Sequence, residues 1–144
     1  MSPVYDDSNI FAKILRGEIP CHKVYEDEVA FAFMDIMPRI EGHCLVLPKF
    51  PARNLLDADP EGLGQLIKRV QMVARAAKTA LGAEGVTLYQ YNELAGGQTV
   101  FHLHFHILPR WEGVELRPPA SVMEKPEVLA ANAAKIAAAI AKGS

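Results

Sequence analysis

Residues 101–110 read FHLHFHILPR, and the strict alternation of histidine with apolar side chains restricts the folds open to the chain. A period of two is that of a β-strand, whose successive side chains point to opposite faces. His102, His104 and His106 are therefore expected on one face, and Leu103, Phe105 and Ile107 on the other. The apolar set needs a cover, and burying it fixes the register and hence the positions of the three imidazoles. The sequence supplies that cover. Asp59 and Pro60 open a segment in which Leu63, Leu66, Ile67, Val70, Ala74, Ala77 and Leu81 trace one apolar stripe before Gly82. This pattern predicts an amphipathic helix over 60–81.

The rest of the chain falls into place around these two features. Ile10, Phe11, Ile14 and Leu15 have helical spacing behind Ser8, an expected N-cap, and Gly17 and Pro20 close a short helix over 9–16. Residues 23–25, 29–35 and 43–47 are β-like runs, the first two joined by the acidic turn Glu26-Asp27-Glu28. Residues 86–92 and 100–108 are two further strands around the loop NELAGGQT. A Pro- and Glu-rich connector over 112–126 precedes a last helix with a narrow stripe of Leu129, Ala133, Ile136 and Ile140. The order predicts an α+β fold: a five-stranded antiparallel sheet with helices packed on one face, plus a C-terminal helical tail. Residues 1–110 are expected to form the main domain. Residues 111–144 are expected to dock on that domain or on a second subunit.

At 144 residues, half of them hydrophobic, one core is the expectation. The net charge of −2, with acids and bases mixed, argues against a polymeric nucleic acid as partner. Residues 129–142 are interrupted by Asn132 and Lys135 and fall short of the roughly 20 apolar residues of a membrane span. Cys21 and Cys44 show neither metal-binding nor redox spacing, and read as free thiols of a reducing compartment. Residues 1–8 are polar and acidic, unlike a secretion signal, so a cytoplasmic location is expected.

Three histidines in phase can bind a metal, catalyse, or merely form a solvated face. Geometry disfavours a single ion: the outer two Cα atoms of a regular strand lie ~13 Å apart, and a histidine reaches a metal at most roughly 6.5 Å from its Cα. Nucleophilic catalysis uses the row better, because neutral imidazole attacks phosphorus well near neutral pH and crowded rings resist joint protonation. His104, flanked on both sides, is the expected nucleophile. Gly96 and Gly97 let the backbone approach a ligand closely, and Gln98 and Thr99 place polar groups beside the histidines.

The stretch GQTVFHLHFHIL closely resembles the signature of the histidine-triad family, and NIFAKILRGEIP from Asn9, AFMDIMPRIEGHCLVLPK from Ala32 and YNELAGGQTVFHLHFH from Tyr91 resemble successive blocks of that family. The resemblance implies hydrolysis at the α-phosphate of a nucleoside monophosphate conjugate through a covalent nucleotidyl-histidine on His104. It makes His102 and His106 the companions of His104, and His43 a fourth supporting histidine. It aligns Asn92, Gly97, Gln98 and Thr99 with phosphate contacts and Asp35 with the ribose carboxylate. Phe11, Ile14, Ile19, Phe33 and Ile36 align with the apolar slot for the base. It further implies a homodimer and no cofactor. A structural zinc is not expected, because Asn9, Ala12 and Pro51 stand where some relatives carry its ligands; Met34 stands where some carry a histidine. The favoured substrate is a purine nucleotide conjugate such as an adenosine phosphoramidate. Dinucleoside polyphosphate hydrolysis and non-catalytic nucleotide binding are the alternatives.

Overall fold

The computed structural model describes residues 4–143, so the first three residues of the polar N-terminal stretch lie outside the described residues. In chain order the elements are α1 (Ile10–Leu15), β1 (Lys23–Glu26), β2 (Ala30–Met34), β3 (Cys44–Pro48), α2 (Pro60–Leu81), β4 (Gly85–Tyr89), a single 3-10 turn (Leu94–Gly96), β5 (Phe105–Arg110) and α3 (Pro126–Ala141). The five strands form one sheet in the order β1-β2-β3-β5-β4, antiparallel at every pairing.

The register assigns each strand residue to a face. Phe33 pairs with Leu45 and Leu45 with His106, so these three share one side. Met34, Cys44 and Ile107 share the other. On that second side lies the main core, in which Ala30, Ala32, Met34, Cys44, Val46, Leu103 and Ile107 meet Leu66, Val70, Val73 and Ala77 of α2. Leu129, Ala133, Ile136 and Ala139 of α3 belong to the same core, so the C-terminal helix packs on its own chain. The expected α+β sheet with covering helices is therefore present, with one refinement. Only α2 and α3 cover this face; α1 lies across the other, where Phe11 and Ile14 pack on Phe31, Phe33, Leu45 and Leu47.

Several expected boundaries move, each for a local reason. Asn9, not Ser8, caps α1, its side chain accepting from Ala12 N. The stripe of α2 is rotated from the expected one, because sheet and α3 press on it from different sides. Val73 and Ala76 are buried, whereas Ile67 remains 46% exposed. The largest shift concerns the histidine segment. The strand expected over 100–108 starts only at Phe105, because the preceding backbone bends out of the ladder, Leu103 N donating to Ala52 O at 2.9 Å.

Gly42 carries β2 into β3 and delivers His43. Its φ is +85°, and a Cβ there would lie 2.2 Å from Leu81 Cδ1 and 3.0 Å from Pro109 Cγ. Gly42→Ala is expected to cost about 1–3 kcal/mol from backbone strain and overpacking. Urea unfolding measures this, and an unchanged midpoint would contradict the turn's geometry.

Candidate active site

The sequence presents four histidines to one region, and their hydrogen bonds decide what each can do. A backbone carbonyl can only accept and an amide N–H can only donate, so each such partner assigns a tautomer. His104 Nδ1 lies 2.6 Å from the carbonyl of His102, so Nδ1 carries the proton and Nε2 keeps a bare lone pair. His102 Nε2 lies 2.8 Å from Pro48 O, so it donates there and leaves Nδ1 to accept from the Tyr5 hydroxyl at 2.6 Å. Arg39 N donates to His43 Nδ1 at 3.1 Å, so His43 Nε2 carries a proton, which it gives to His106 Nδ1 at 3.0 Å. His106 is then left with Nε2–H.

The outcome is a bare nitrogen on His104 beside an N–H donor on His106, in rings whose centroids are 5.0 Å apart. Neither nitrogen has a hydrogen-bond partner among the described residues. Nor is either sealed from solvent, since Arg110 Nε is the one buried side-chain nitrogen or oxygen without a partner among the described residues. Phe11 packs edge-on against His104 at 4.8 Å and Tyr91 against His106 at 5.5 Å. These hydrophobic walls strip water from the imidazoles, and desolvation disfavours the charged form. Burial lowers the pKa of His104 to about 4, and that of His43 to about 4 with help from the Arg39 charge. Burial, then the neighbouring His104, His43 and Arg39, lower His106 to about 3. Burial also lowers His102. Near neutral pH all four rings are uncharged.

Residues 16–113 match the HIT domain, more than half of the chain. The chain belongs to the HIT family. Its fold superimposes on the crystal structure of a Hit-like protein involved in cell-cycle regulation from Bartonella henselae, solved with an unknown ligand. That likeness has a TM-score of 0.91 and 55% identity, and covers 95% of this chain and 99% of that one. The chain is 38% identical over 103 residues to the adenosine 5'-monophosphoramidase hnt1 of Schizosaccharomyces pombe, which is 72% of this chain and 74% of that protein. It is 37% identical over 103 residues to the adenylylsulfatase HINT3 of Arabidopsis thaliana, again 72% of this chain but 52% of the longer relative.

Around the HIT histidines the other expected residues take differing positions. Asp35 sits beside His43, Oδ2 3.5 Å from Nε2, while its Oδ1 accepts from Met37 N at 2.8 Å. Burial raises its pKa. Phe11, Ile14 and Phe33 form a small apolar core with Ile19 packed against it, and Ile36 stands apart at 45% exposure. Met34 faces the main core, on the side of the sheet opposite Phe33.

The glycine loop is held by side chains that the family resemblance aligns with ligand contacts. Gln98 is buried, and its amide makes four bonds: Nε2 to Arg53 O and Val100 O, and Oε1 from Asn54 Nδ2 and Glu93 N. Asn92 Oδ1 accepts from Leu55 N, and its amide is exchanged reciprocally with that of Gln90. Gly97 adopts φ +100° with Tyr91 against its Cα face, and Thr99 lies exposed in a groove with Arg53 and Phe101. Three residues escaped the sequence reading. Arg53 forks onto Glu93 at 2.8 and 2.9 Å, Asn54 adds a third bond to that carboxylate at 2.6 Å, and Glu93 itself holds φ +67°. No local pattern announces them, because their partners lie 39 and 40 residues away.

Asp35, His43 and His106 bring three ligand atoms within 4.8 Å of one another, a spacing that suits a metal ion. The tautomers oppose that use. An ion would need the lone pair of His43 Nε2, which requires Nδ1–H facing the Arg39 N–H. At the positions Asn9, Ala12 and Pro51 the structure places a helix cap, a buried methyl group and a proline, none of them a usual zinc ligand.

A 15N NMR titration is expected to find His43, His104 and His106 neutral down to about pH 5 and protonating only toward pH 4 and below. In the unfolded chain these groups protonate near 6.5, so the stability they confer is complete above that pH and is lost as pH falls toward 4. A native-state midpoint near 6.5 would contradict the desolvated site.

Proposed function

We propose that the protein hydrolyses nucleoside 5′-phosphoramidates or related nucleoside monophosphate conjugates, purine ones foremost, at the α-phosphate. The observation that carries this reading is the bare Nε2 of His104, whose other nitrogen is fixed by the carbonyl of His102. A ring held in this way attacks from one direction. Once attack has made it cationic, its Nδ1–H bond to the carbonyl becomes charge-assisted.

In the proposed reaction the Nε2 lone pair forms a bond to the α-phosphorus while the bond from phosphorus to the amine breaks. The phosphate's negative charge raises the proton affinity of His106. His106 thus enters as imidazolium by taking a solvent proton at Nδ1, which releases its bond from His43 Nε2–H, and it gives its Nε2 proton to the departing amine. Water then attacks phosphorus, His106 Nε2 takes up a proton from it, and the bond to His104 Nε2 breaks, releasing the nucleoside monophosphate; the Nδ1 proton of His106 returns to solvent and the bond from His43 re-forms. Before the substrate binds, His43 steers His106 through its Nε2–H, and His102 holds His104. Asp35 is proposed to accept from the ribose hydroxyls. Phe11, Ile14, Ile19, Phe33 and Ile36 would grip the base, and Gly97 and Thr99, with Gln98 and Asn92 holding their loop, would line the phosphate. The relatives' names, adenosine 5'-monophosphoramidase and adenylylsulfatase, support substrates in which a leaving group is attached to an adenylyl phosphate. A homodimer through the outer strand β4, which pairs on one side only and exposes Leu88, belongs to the same proposal.

Side-by-side rates on an adenosine phosphoramidate, an adenylyl sulfate and a diadenosine polyphosphate test the substrate class, the first being expected to turn over fastest. His104→Ala should lower kcat by at least about 1,000-fold while leaving nucleotide binding within a few-fold of the parent. Full activity in that variant would overturn the proposal.

A further inference from the structure

The N-terminal segment reaches the histidines through one hydroxyl that the reaction as described does not use. Tyr5 packs edge-on against His102, with ring centroids 5.6 Å apart, and its Oη lies 2.6 Å from His102 Nδ1. Because Pro48 O claims the proton on His102 Nε2, Nδ1 can only accept, and Tyr5 is the donor. Asn9 Nδ2 donates to Tyr5 Oη at 3.2 Å, while Asn9 Oδ1 caps α1 and so fixes the helix that sets Phe11 against His104. One hydroxyl thus joins the start of α1 to the residue whose carbonyl orients the nucleophile.

We propose that Tyr5 is a positioning residue: its hydroxyl locks the neutral Nε2–H tautomer of His102, and through it the direction of His104. The proposal rests on the reading of His104 as nucleophile. With Tyr5 in place, both nitrogens of the buried His102 are satisfied, and its backbone carbonyl stays 2.6 Å from His104 Nδ1. Without the hydroxyl, Nδ1 is left without a donor in a buried site, a position a water or a proton will fill. A proton there would set a cation beside His104. The charged and titratable groups around this pair are Asp6, Asp7 and Arg16 on the side of Tyr5, and His104 on the other; β3 contributes the Pro48 carbonyl.

Tyr5→Phe removes the hydroxyl and keeps the ring. Its kcat is expected to fall about 3- to 10-fold with KM within two-fold of the parent, and the acid limb of the kcat profile to move up by roughly half to one pH unit. Asn9→Ser keeps a good helix cap but deletes the donor to Tyr5, and is expected to give a smaller change in the same direction. Independently of activity, 15N NMR should show His102 as the pure Nε2–H tautomer in the parent and as a mixed or partly protonated ring in Tyr5→Phe. An unchanged kcat and acid limb, a rise in KM alone, or a loss of rate matched by loss of folded protein would each overturn the proposal. Should the parent turn over none of the nucleotide substrates, the reading of its function fails, and the His102 spectrum still decides the role of Tyr5: no change on removing the hydroxyl overturns it.

Discussion

The structure turns on the 2.6 Å hydrogen bond from His104 Nδ1 to the carbonyl of His102. It joins a side chain to the backbone two residues earlier, so it fixes ring and main chain together. It also fixes the tautomer, because the neutral imidazole that gives one proton to a carbonyl must present an unprotonated nitrogen elsewhere. Every other partner supports that arrangement. Pro48 O and Tyr5 hold the ring of His102, Arg39 N sets the tautomer of His43, and His43 sets that of His106. Two of these anchors are main-chain groups of the strand edges and turns, which move less than side chains.

The sheet makes this possible by dividing its labour between two faces. On one face Leu103 and Ile107 are sealed under α2 and α3, which fixes the segment that carries the histidines. The opposite face keeps only α1 and a small apolar core, leaving the imidazoles of His104 and His106 partly reachable but poorly solvated, and those of His43 and His102 buried. Burial there has a chemical consequence. A histidine that stays neutral well below its ordinary pKa keeps its lone pair at every physiological pH, at the expense of stability in acid.

Much of this was legible in the sequence, and the parts that were not have physical causes. The α2 helix was readable to its end residues because cap, proline, stripe and terminal glycine agree. The four histidines were readable because three stand in phase and resemble a known motif. Strand periodicity, however, overstated the regularity of β5. His102 and Leu103 satisfy their polar groups against β3 and the loop after it rather than in the ladder, a tertiary preference that no local pattern carries. Gln98 looked like a ligand contact because it follows two glycines, yet its amide is consumed by bonds to residues 44 and 45 positions away. Tyr5 left no signal either, since its partner lies 97 residues along the chain.

If the bare Nε2 of His104 is the attacking atom, the protein must carry the nucleotide for part of each cycle. Mass spectrometry of enzyme quenched during turnover of an adenosine phosphoramidate measures this most directly. The expected result is a peptide bearing one adenylyl group, localised to His104 and lost on further incubation with water. An adduct on another residue, or none at a time when product is still accumulating, would contradict it.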